Sequence, residues 1–398
     1  MARGDAHIGT RVRYWRGRRG LSQVTLAGLA GISQAYLSQI ESGKRSVDSR
    51  ALLARLADAL QVSTANLEGA PADPGTPEHS SAAAAMPAVR AALAAASLGD
   101  EREPSRSLDE LSSAVDTAVR LRTEADYARL APMLPDLIGD LAAVDEHDQA
   151  DALRLAVPAL YCCTFTAKYL GYPDLAMTAA EQAQRAAERL ADPVWRGVAD
   201  FARVQSLPPE LKRLSRRLAE AAVDRLAPVA ADPVAGQVYG MLHLVAALVS
   251  AVDRRTDDTD AHLAEAQAMA NRLGETETGG PAGLWFGPAN VAFWRTAIAV
   301  ELGEGGRARE IAAGVNASAV RSPTRHAAWY SDLGRGLAQT RRDDQQAVSY
   351  LIRAESIAPQ RVRLNASVRD TVSSMLRRAR RASLAEPLRA LAERVGAV

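Results

Sequence analysis

The chain has 398 residues, of which 47% are hydrophobic, 5% aromatic and 24% charged, and its net charge is +1. This length exceeds that of a single small binding domain and predicts at least two domains. The only two cysteines, Cys162 and Cys163, are adjacent, which excludes a framework of disulfides. We find no secretory signal and no apolar run of about eighteen residues, so we expect a cytoplasmic protein without a membrane partner.

The charge is unevenly distributed along the chain. Residues 1–70 contain ten Lys or Arg and five Asp or Glu, whereas residues 71–398 contain 38 and 42. A basic N-terminal domain followed by a weakly acidic remainder is typical of a domain that contacts phosphate groups. The preference for Arg and Ala over Lys is typical of a high-GC bacterial genome.

The N-terminal stretch predicts a compact group of short helices. A first helix is expected at residues 10–19, and residues 21–45 predict two helices joined by a tight turn and followed by a basic loop. Ser22 and Ser33 are suitable N-caps because their hydroxyls can accept from orphan backbone N–H groups. Gly31 tolerates the left-handed conformation between the helices. This pattern is a helix-turn-helix, whose second helix enters the major groove of DNA.

This segment resembles the lambda-repressor and Cro class of helix-turn-helix domains, the XRE family. The residues that carry the resemblance are LSQ at 21–23, LA at 26–27, GIS at 31–33, YLSQIESGKR at 36–45 and ALLARLADALQVSTANL at 51–67. The resemblance implies a five-helix domain at residues 1–70 that binds double-stranded operator DNA. Because one such domain reads only a few base pairs, we expect a homodimer on a roughly two-fold site.

The predicted DNA contacts lie on and beside the second helix of this motif. Gln34 can pair bidentately with adenine, and Lys44 and Arg45 are typical phosphate contacts. Tyr36 is interpreted as a core residue and Glu41 as a structural one. The resemblance assigns base contacts to Ser33, Gln34, Ala35, Ser38 and Gln39, and a clamp on the DNA backbone to Gln23.

Residues 71–107 are predicted to be a linker with a short helix. The stretch GAPADPGTPEHSSAAAA at 69–85 is rich in Pro, Gly and Ser and lacks an apolar period. An alanine-rich helix is expected at 86–97, before a second polar break at 99–107. We therefore expect the DNA-binding domain to be tethered with some freedom.

Residues 108–398 predict a domain of repeated helical hairpins. The period is about 34 residues, which is the tetratricopeptide spacing. One unit, WYSDLGRGL followed by AVSYLIRAESIAP, is similar to the tetratricopeptide pattern. The fold class is thus all-α, with a tetratricopeptide-like α-solenoid after the helix-turn-helix domain. The expected hairpins pair 153–170 with 175–190, 193–207 with 209–226, 237–253 with 261–273, 285–302 with 307–315, 325–340 with 345–357, and 364–380 with 382–395.

The concave face of such a solenoid, lined by the first helix of each hairpin, is the expected ligand site. Aromatic rings with a few polar groups are typical of a pocket for a peptide or an amphipathic small molecule. The alternative, that these aromatics only pack between helices, stays open for each of them. The candidate ligand-binding residues are Tyr161, Phe165, Lys168, Tyr169, Tyr239, His243, Asn290, Phe293, Ser331 and Arg335.

Chains that join these two domains resemble the peptide-sensing quorum regulators of Gram-positive bacteria. The resemblance implies a transcriptional regulator whose groove binds an effector and changes the spacing of two DNA-binding domains, but the ligand class does not transfer. One alternative is a repeat domain that docks a protein partner, and another is a signalling scaffold without DNA binding. An enzyme is not expected, since no histidine pair has metal-ligand spacing and no cofactor or metal motif occurs.

Overall fold

The computed structural model describes residues 7–69, 76–99, 104–144, 146–276, 279–340, 343–379 and 382–397. This described part of the chain is all-α and contains no strand. Residues 7–69, here called the head, have a hydrophobic core of their own. Residues 76–397, here called the body, form a second and much larger core in a solenoid-like series of helices. The predicted all-α fold class is confirmed.

The head is built from five helices whose caps match the sequence signals. The Ser22 hydroxyl accepts from Thr25 N at 3.0 Å, and the Ser33 hydroxyl accepts from Tyr36 N at 3.1 Å. Gly31 has a φ of 63°, so the turn between the second and third helices uses the left-handed region. The helices are α1 Ile8–Arg18, α2 Gln23–Ala30, α3 Gln34–Glu41, α4 Arg50–Leu60 and α5 Thr64–Glu68.

The body begins earlier than the sequence indicates. Two helices, α6 Pro77–Ala84 and α7 Met86–Leu98, pack against the helix Tyr127–Ala142 and contribute buried side chains to the body core. This stretch was predicted to be a linker with one short helix, whereas the structure folds it onto the body. Residues 70–75 and 100–103 of that predicted linker lie outside the described residues.

The rest of the body consists largely of consecutive, adjoining helix pairs. The pairs are α8 Leu108–Glu124 with α9 Tyr127–Ala142, α10 Gln149–Tyr169 with α11 Pro173–Leu190, α12 Pro193–Ser206 with α13 Lys212–Leu226, α14 Pro233–Val252 with α15 Thr256–Leu273, α16 Pro288–Glu301 with α17 Gly305–Ala313, and α18 Pro323–Thr340 with α19 Asp344–Ile357. They are followed by α20 Pro359–Arg363, α21 Ala366–Arg378 and α22 Ala382–Val395.

One predicted helix starts later than expected. The sequence placed its first residue at Trp285, but Trp285 has a φ of 54° and lies in the loop before α16. The physical reason is the Gly287–Pro288 pair, because proline has no N–H to donate and favours the first position of a helix.

Two helical stretches are long and apolar enough to cross a membrane by length and composition alone. From the sequence, no such stretch was expected. One of them, Pro233–Val252, is α14, and 78% of it is buried within the body. The other, Pro77–Leu98, covers α6 and α7 and is 22% buried. A core helix passes the same test, so this finding is weak evidence for a membrane span.

The head lies against the body, where body carboxylates accept from backbone N–H groups of the head. Asp370 on α21 accepts from Ile8 N at 3.0 Å through Oδ1 and from Val47 N at 2.7 Å through Oδ2. Glu301 at the end of α16 accepts from Ala51 N at 3.0 Å. Free N–H groups and the positive end of the helix dipole make helix N-termini good partners for carboxylates.

A body carboxylate also accepts hydrogen bonds at the N-terminus of a third head helix, α5. The hydroxyl of Thr64 donates to Glu210 at 2.8 Å, and the Thr64 backbone N–H donates to the same carboxylate at 3.4 Å. In addition, Arg335 of α18 donates to the Asp48 carbonyl at 3.1 Å. The head is therefore docked on the body through several charge-assisted hydrogen bonds, in contrast to the freely tethered domain that the sequence predicted.

We predict that Asp370→Asn loosens this docking. An asparagine amide nitrogen cannot accept, so at least one of the bonds from Ile8 and Val47 is lost. A hydrogen bond to a charged group contributes about 1.5–3 kcal/mol. Hydrogen–deuterium exchange should therefore become about tenfold faster or more at the start of α1 and around Val47.

The matched control is Glu355→Gln. Glu355 is a buried body carboxylate whose ion-pair partners, Arg363 and Arg394, also belong to the body. This variant should speed exchange near the C-terminus only. Unchanged exchange in the head of Asp370→Asn would contradict the docking described above.

Candidate nucleic-acid interface and candidate ligand cavity

The outer face of α3 stays open to solvent with the head docked on the body. Leu37 and Ile40 of this helix are fully buried in the head core, which turns the opposite face outward. Of the predicted base-contacting residues, Ser33, Gln34, Ala35 and Gln39 are exposed and Ser38 is half-buried. The structure thus places the predicted base contacts together on one accessible surface.

A chain of hydrogen bonds fixes the side chain of Gln34 on this surface. Gln34 Nε2 donates to Gln23 Oε1 at 2.7 Å, and Gln23 Nε2 donates to Glu41 Oε2 at 2.8 Å. Glu41 is buried and accepts a two-pronged ion pair from Arg16 at 2.6 and 2.9 Å. The bond to Glu41 raises the pKa of Arg16. Gln34 therefore keeps its amide oxygen and one N–H for a base edge.

The basic loop after α3 contains the predicted phosphate contacts. Lys44 is exposed, while the Arg45 guanidinium lies over the Tyr36 ring, 5.0 Å from its centroid. Tyr36 is half-buried and donates to Asp48 Oδ1 at 3.5 Å. Arg45 is thus held against the head surface beside α3.

The body also contributes a basic residue to this loop. Arg377 at the end of α21 donates to the Ser42 carbonyl at 3.5 Å and is exposed. It contacts Gly43, whose φ of 69° favours glycine, and a Cβ at this position would lie 2.9 Å from the Arg377 side chain. Sequence reasoning missed Arg377, because nothing in the Arg-Arg pair at 377–378 indicates contact with residues more than three hundred positions earlier.

A second candidate site is a cavity of about 560 Å³ that is lined by residues of both the head and the body. This volume lies within the usual range for small-molecule sites. The head contributes residues of α4 and α5, including Arg50, Leu53 and Glu68, so the docked head covers the groove. Of the ten predicted ligand-binding residues, seven line the cavity: Tyr161, Phe165, Lys168, Tyr169, Phe293, Ser331 and Arg335.

The other three predicted residues lie outside the cavity lining. Tyr239 packs edge-on against His243, whose Nδ1 is 3.0 Å from His262 Nδ1 between α14 and α15. Burial lowers the pKa of His243 to about 4. Asn290 is fully buried and accepts from Arg325 Nε at 2.9 Å, so it orients a cavity arginine without reaching the cavity. For these three residues, helical spacing predicted helices that do line the cavity, but it did not predict which face of each helix lines it.

Burial shifts the pKa values of several charged groups in the cavity. Burial lowers the pKa of Lys168 to about 7, and the neighbouring charges of Arg50 and Arg361 add to this effect. Burial also lowers the pKa of Arg325 to about 10 and raises that of Glu68 to about 7. The Lys168 ammonium donates to the main-chain and side-chain oxygens of Gln205 at 2.6 and 3.0 Å.

Aromatic rings form much of the remaining cavity wall. Tyr161 and Phe165 have ring centroids 4.7 Å apart, and Phe293 stacks on Trp329 at 4.4 Å. The predictions missed several cavity residues, because single-sequence spacing does not show which arginines and rings from distant helices meet. The missed residues include Arg122, Phe201, Trp294, Arg325, Trp329 and Arg361.

Comparison with known proteins supports the assignment of the head. A family of helix-turn-helix domains matches residues 7–69, which coincide with the described head. No curated protein and no solved structure matches the chain. The chain therefore carries an N-terminal helix-turn-helix domain of the XRE type, which supports a DNA-binding regulator.

We predict that Lys168→Met changes the pH dependence of stability. The pKa of Lys168 is about 7 in the folded protein and 10.5 as a free side chain, so folding favours the neutral amine. The resulting destabilisation is complete below pH 7 and disappears as the pH rises toward 10.5. The Tm of the wild type should thus rise between pH 7 and 9 relative to that of Lys168→Met.

Lys212→Met is the control, since Lys212 lies at the start of α13 outside the main cavity. Its Tm should follow the wild-type pH dependence. Parallel pH curves for the wild type and Lys168→Met would contradict a buried Lys168 whose pKa is lowered in the folded protein.

Proposed function

We propose that this protein is a sequence-specific transcriptional regulator that binds operator DNA through α3 of the head. The observation that carries the proposal is the exposed Gln34, held by Gln23 and by the ion pair of Arg16 with the buried Glu41. A side chain that is already oriented loses little conformational freedom when it pairs with a base. The match of residues 7–69 to helix-turn-helix domains supports the same reading.

The regulator acts in the cytoplasm as a homodimer on an approximately two-fold operator. A single recognition helix contacts only a few base pairs, and two heads double the sequence that is read. Most soluble homo-oligomers have closed two-fold symmetry, which an operator palindrome can match. Gel filtration with light scattering, together with the length of DNA protected from nuclease, tests this part of the proposal.

The body acts as a tetratricopeptide-like sensor, similar in arrangement to the peptide-sensing quorum regulators, and not as an enzyme. Consecutive helix pairs support the repeat assignment, and the cavity beneath the head supports a bound effector. An effector changes DNA binding only if it binds one arrangement of the heads better than another. A ligand in this cavity meets that condition, because it touches residues of both the head and the body.

We predict different effects for Gln34→Ala and Lys44→Ala on DNA binding. Gln34→Ala should remove about 1–3 kcal/mol of the binding free energy that favours the preferred base at one operator position, so specificity is relaxed there. Lys44→Ala should weaken binding to all DNA sequences alike. It should also reduce the slope of log affinity against log salt concentration by about one. Fluorescence anisotropy with the gene's own upstream DNA and a scrambled fragment, at two salt concentrations, measures both effects.

The control for this experiment is Gln267→Ala, which removes an exposed glutamine that pairs with Asn271 on α15. It should bind both fragments like the wild type. If the wild type binds an operator and both Gln34→Ala and Lys44→Ala bind it with wild-type affinity and specificity, α3 is not the reading helix. Absence of binding to either fragment at both salt concentrations would favour the scaffold alternative.

A further inference from the structure

We propose that the cavity between the head and the body binds an organic anion, namely an acid with a flat aromatic or unsaturated body. This inference rests on the proposed effector role of the cavity and gives that effector a chemical class. The acidic group is bound by buried arginines and Lys168, and the flat body packs on the aromatic wall. The charges, the missing counter-ions and the ring contacts of the cavity each support the assignment.

Basic side chains outnumber acidic ones in the cavity lining. The seven basic residues are Arg50, Arg122, Lys168, Arg325, Arg335, Arg361 and Arg369, and the four acidic residues are Glu68, Asp174, Glu210 and Asp332. Two of the acids already have partners, since Asp332 pairs with Arg335 at 3.0 Å and Glu210 accepts from Thr64. The cavity is thus strongly cationic without a ligand.

Six of the seven basic residues, all except Arg335, lack a counter-ion among the described residues, and four of the six donate hydrogen bonds within the protein. No carboxylate oxygen lies within 4.0 Å of the charged nitrogens of Arg122, Lys168, Arg325 or Arg361 in that part of the chain. Within the described residues, the acceptors of these four are neutral groups, namely backbone carbonyls, two threonine hydroxyls and amide oxygens. A charge removed from water without a counter-charge is costly, so this arrangement is best explained by an anion that completes it.

Several buried N–H donors of the cavity arginines also lack an acceptor among the described residues. Arg122 is only 7% exposed, and its Nε has no hydrogen-bond partner among the described residues. The Nε atoms of Arg335 and Arg369 are likewise buried without a partner in that part of the chain. Buried donors are almost always paired in folded proteins, so three unpaired guanidinium donors in one cavity lining indicate a missing acceptor.

Each of three cavity arginines lies over an aromatic ring. The guanidinium carbon is 4.1 Å from the Tyr169 centroid for Arg361, 5.2 Å from the Trp294 centroid for Arg325, and 5.1 Å from the Tyr161 centroid for Arg122. An arginine that lies over a ring can still bind a carboxylate, sulfonate or phosphate in two-pronged fashion through its free N–H donors.

The rings themselves provide the surface for the rest of the ligand. Phe165, Phe201, Phe293 and Trp329 line the same cavity as these arginines. With a volume of about 560 Å³, the cavity fits a compact molecule. The head covers this space with Arg50 and Glu68, so a ligand that fills it contacts both parts of the protein and stabilises the docked arrangement by mass action.

The test uses two fluorescent dyes that share one ring system and differ in charge. The dye 8-anilinonaphthalene-1-sulfonate is anionic, and N-phenyl-1-naphthylamine is its neutral counterpart without the sulfonate. Titration of the full-length protein should show at least tenfold tighter binding of the sulfonate dye, with one saturable site per chain. The neutral dye should compete for this site only weakly.

Variants then locate the bound sulfonate. Arg325→Gln and Arg361→Gln should each weaken binding of the anionic dye about tenfold and leave binding of the neutral dye unchanged. The matched control is Arg353→Gln, because Arg353 also stacks on a ring, 4.5 Å from the Tyr330 centroid, but does not line the cavity. It should bind both dyes like the wild type. If an arginine variant fails to fold, Lys168→Met serves as the replacement and should also weaken the anionic dye.

The outcomes separate this inference from the proposed function. Equal affinity for both competing dyes would overturn the preference for anions and leave an apolar effector cavity in place. The anionic dye could instead bind saturably without being weakened by either arginine variant or by Lys168→Met. That result would place the site elsewhere and overturn the inference. Absence of binding by either dye would count against both the anion site and the effector role of the cavity, whereas DNA reading by α3 would stand.

Discussion

The architecture depends on three body carboxylates that hold the N-terminal ends of head helices. Asp370, Glu301 and Glu210 lie on distant parts of the body, yet they meet α1, α4 and α5 of one small domain. Because the first N–H groups of each helix lack an acceptor within the helix, carboxylates at three separate helix starts fix the orientation of the head as well as its position. The docked head thereby covers the cavity and leaves α3 exposed.

This division of surfaces explains how one small domain can contribute to two sites. The starts of α1, α4 and α5 face the body, while the outer face of α3 and the loop with Lys44 remain open. The Arg16–Glu41 ion pair lies within the head and ties α3 to α1. A change in docking would therefore move the reading surface as a unit, which is the physical basis of our proposal that a cavity ligand affects DNA binding.

Features set by neighbouring residues could be predicted from the sequence, and features set by distant contacts could not. The caps at Ser22 and Ser33 and the turn at Gly31 depend on local hydrogen bonds and backbone geometry, and the structure confirms them. Most helix pairs of the body also follow from local periodicity. The docking through Asp370 and the position of His243 between α14 and α15, outside the cavity lining, depend on how whole helices pack, which periodicity does not specify.

The central claim is that α3 of the full-length protein reads a DNA sequence. The most direct measurement is selection of bound fragments from a random DNA pool at physiological salt, followed by sequencing. We expect enrichment of one short motif by the wild type, and a loss of preference at one position of that motif with Gln34→Ala. Recovery of DNA without any enriched motif, from protein shown to be folded, would contradict the claim.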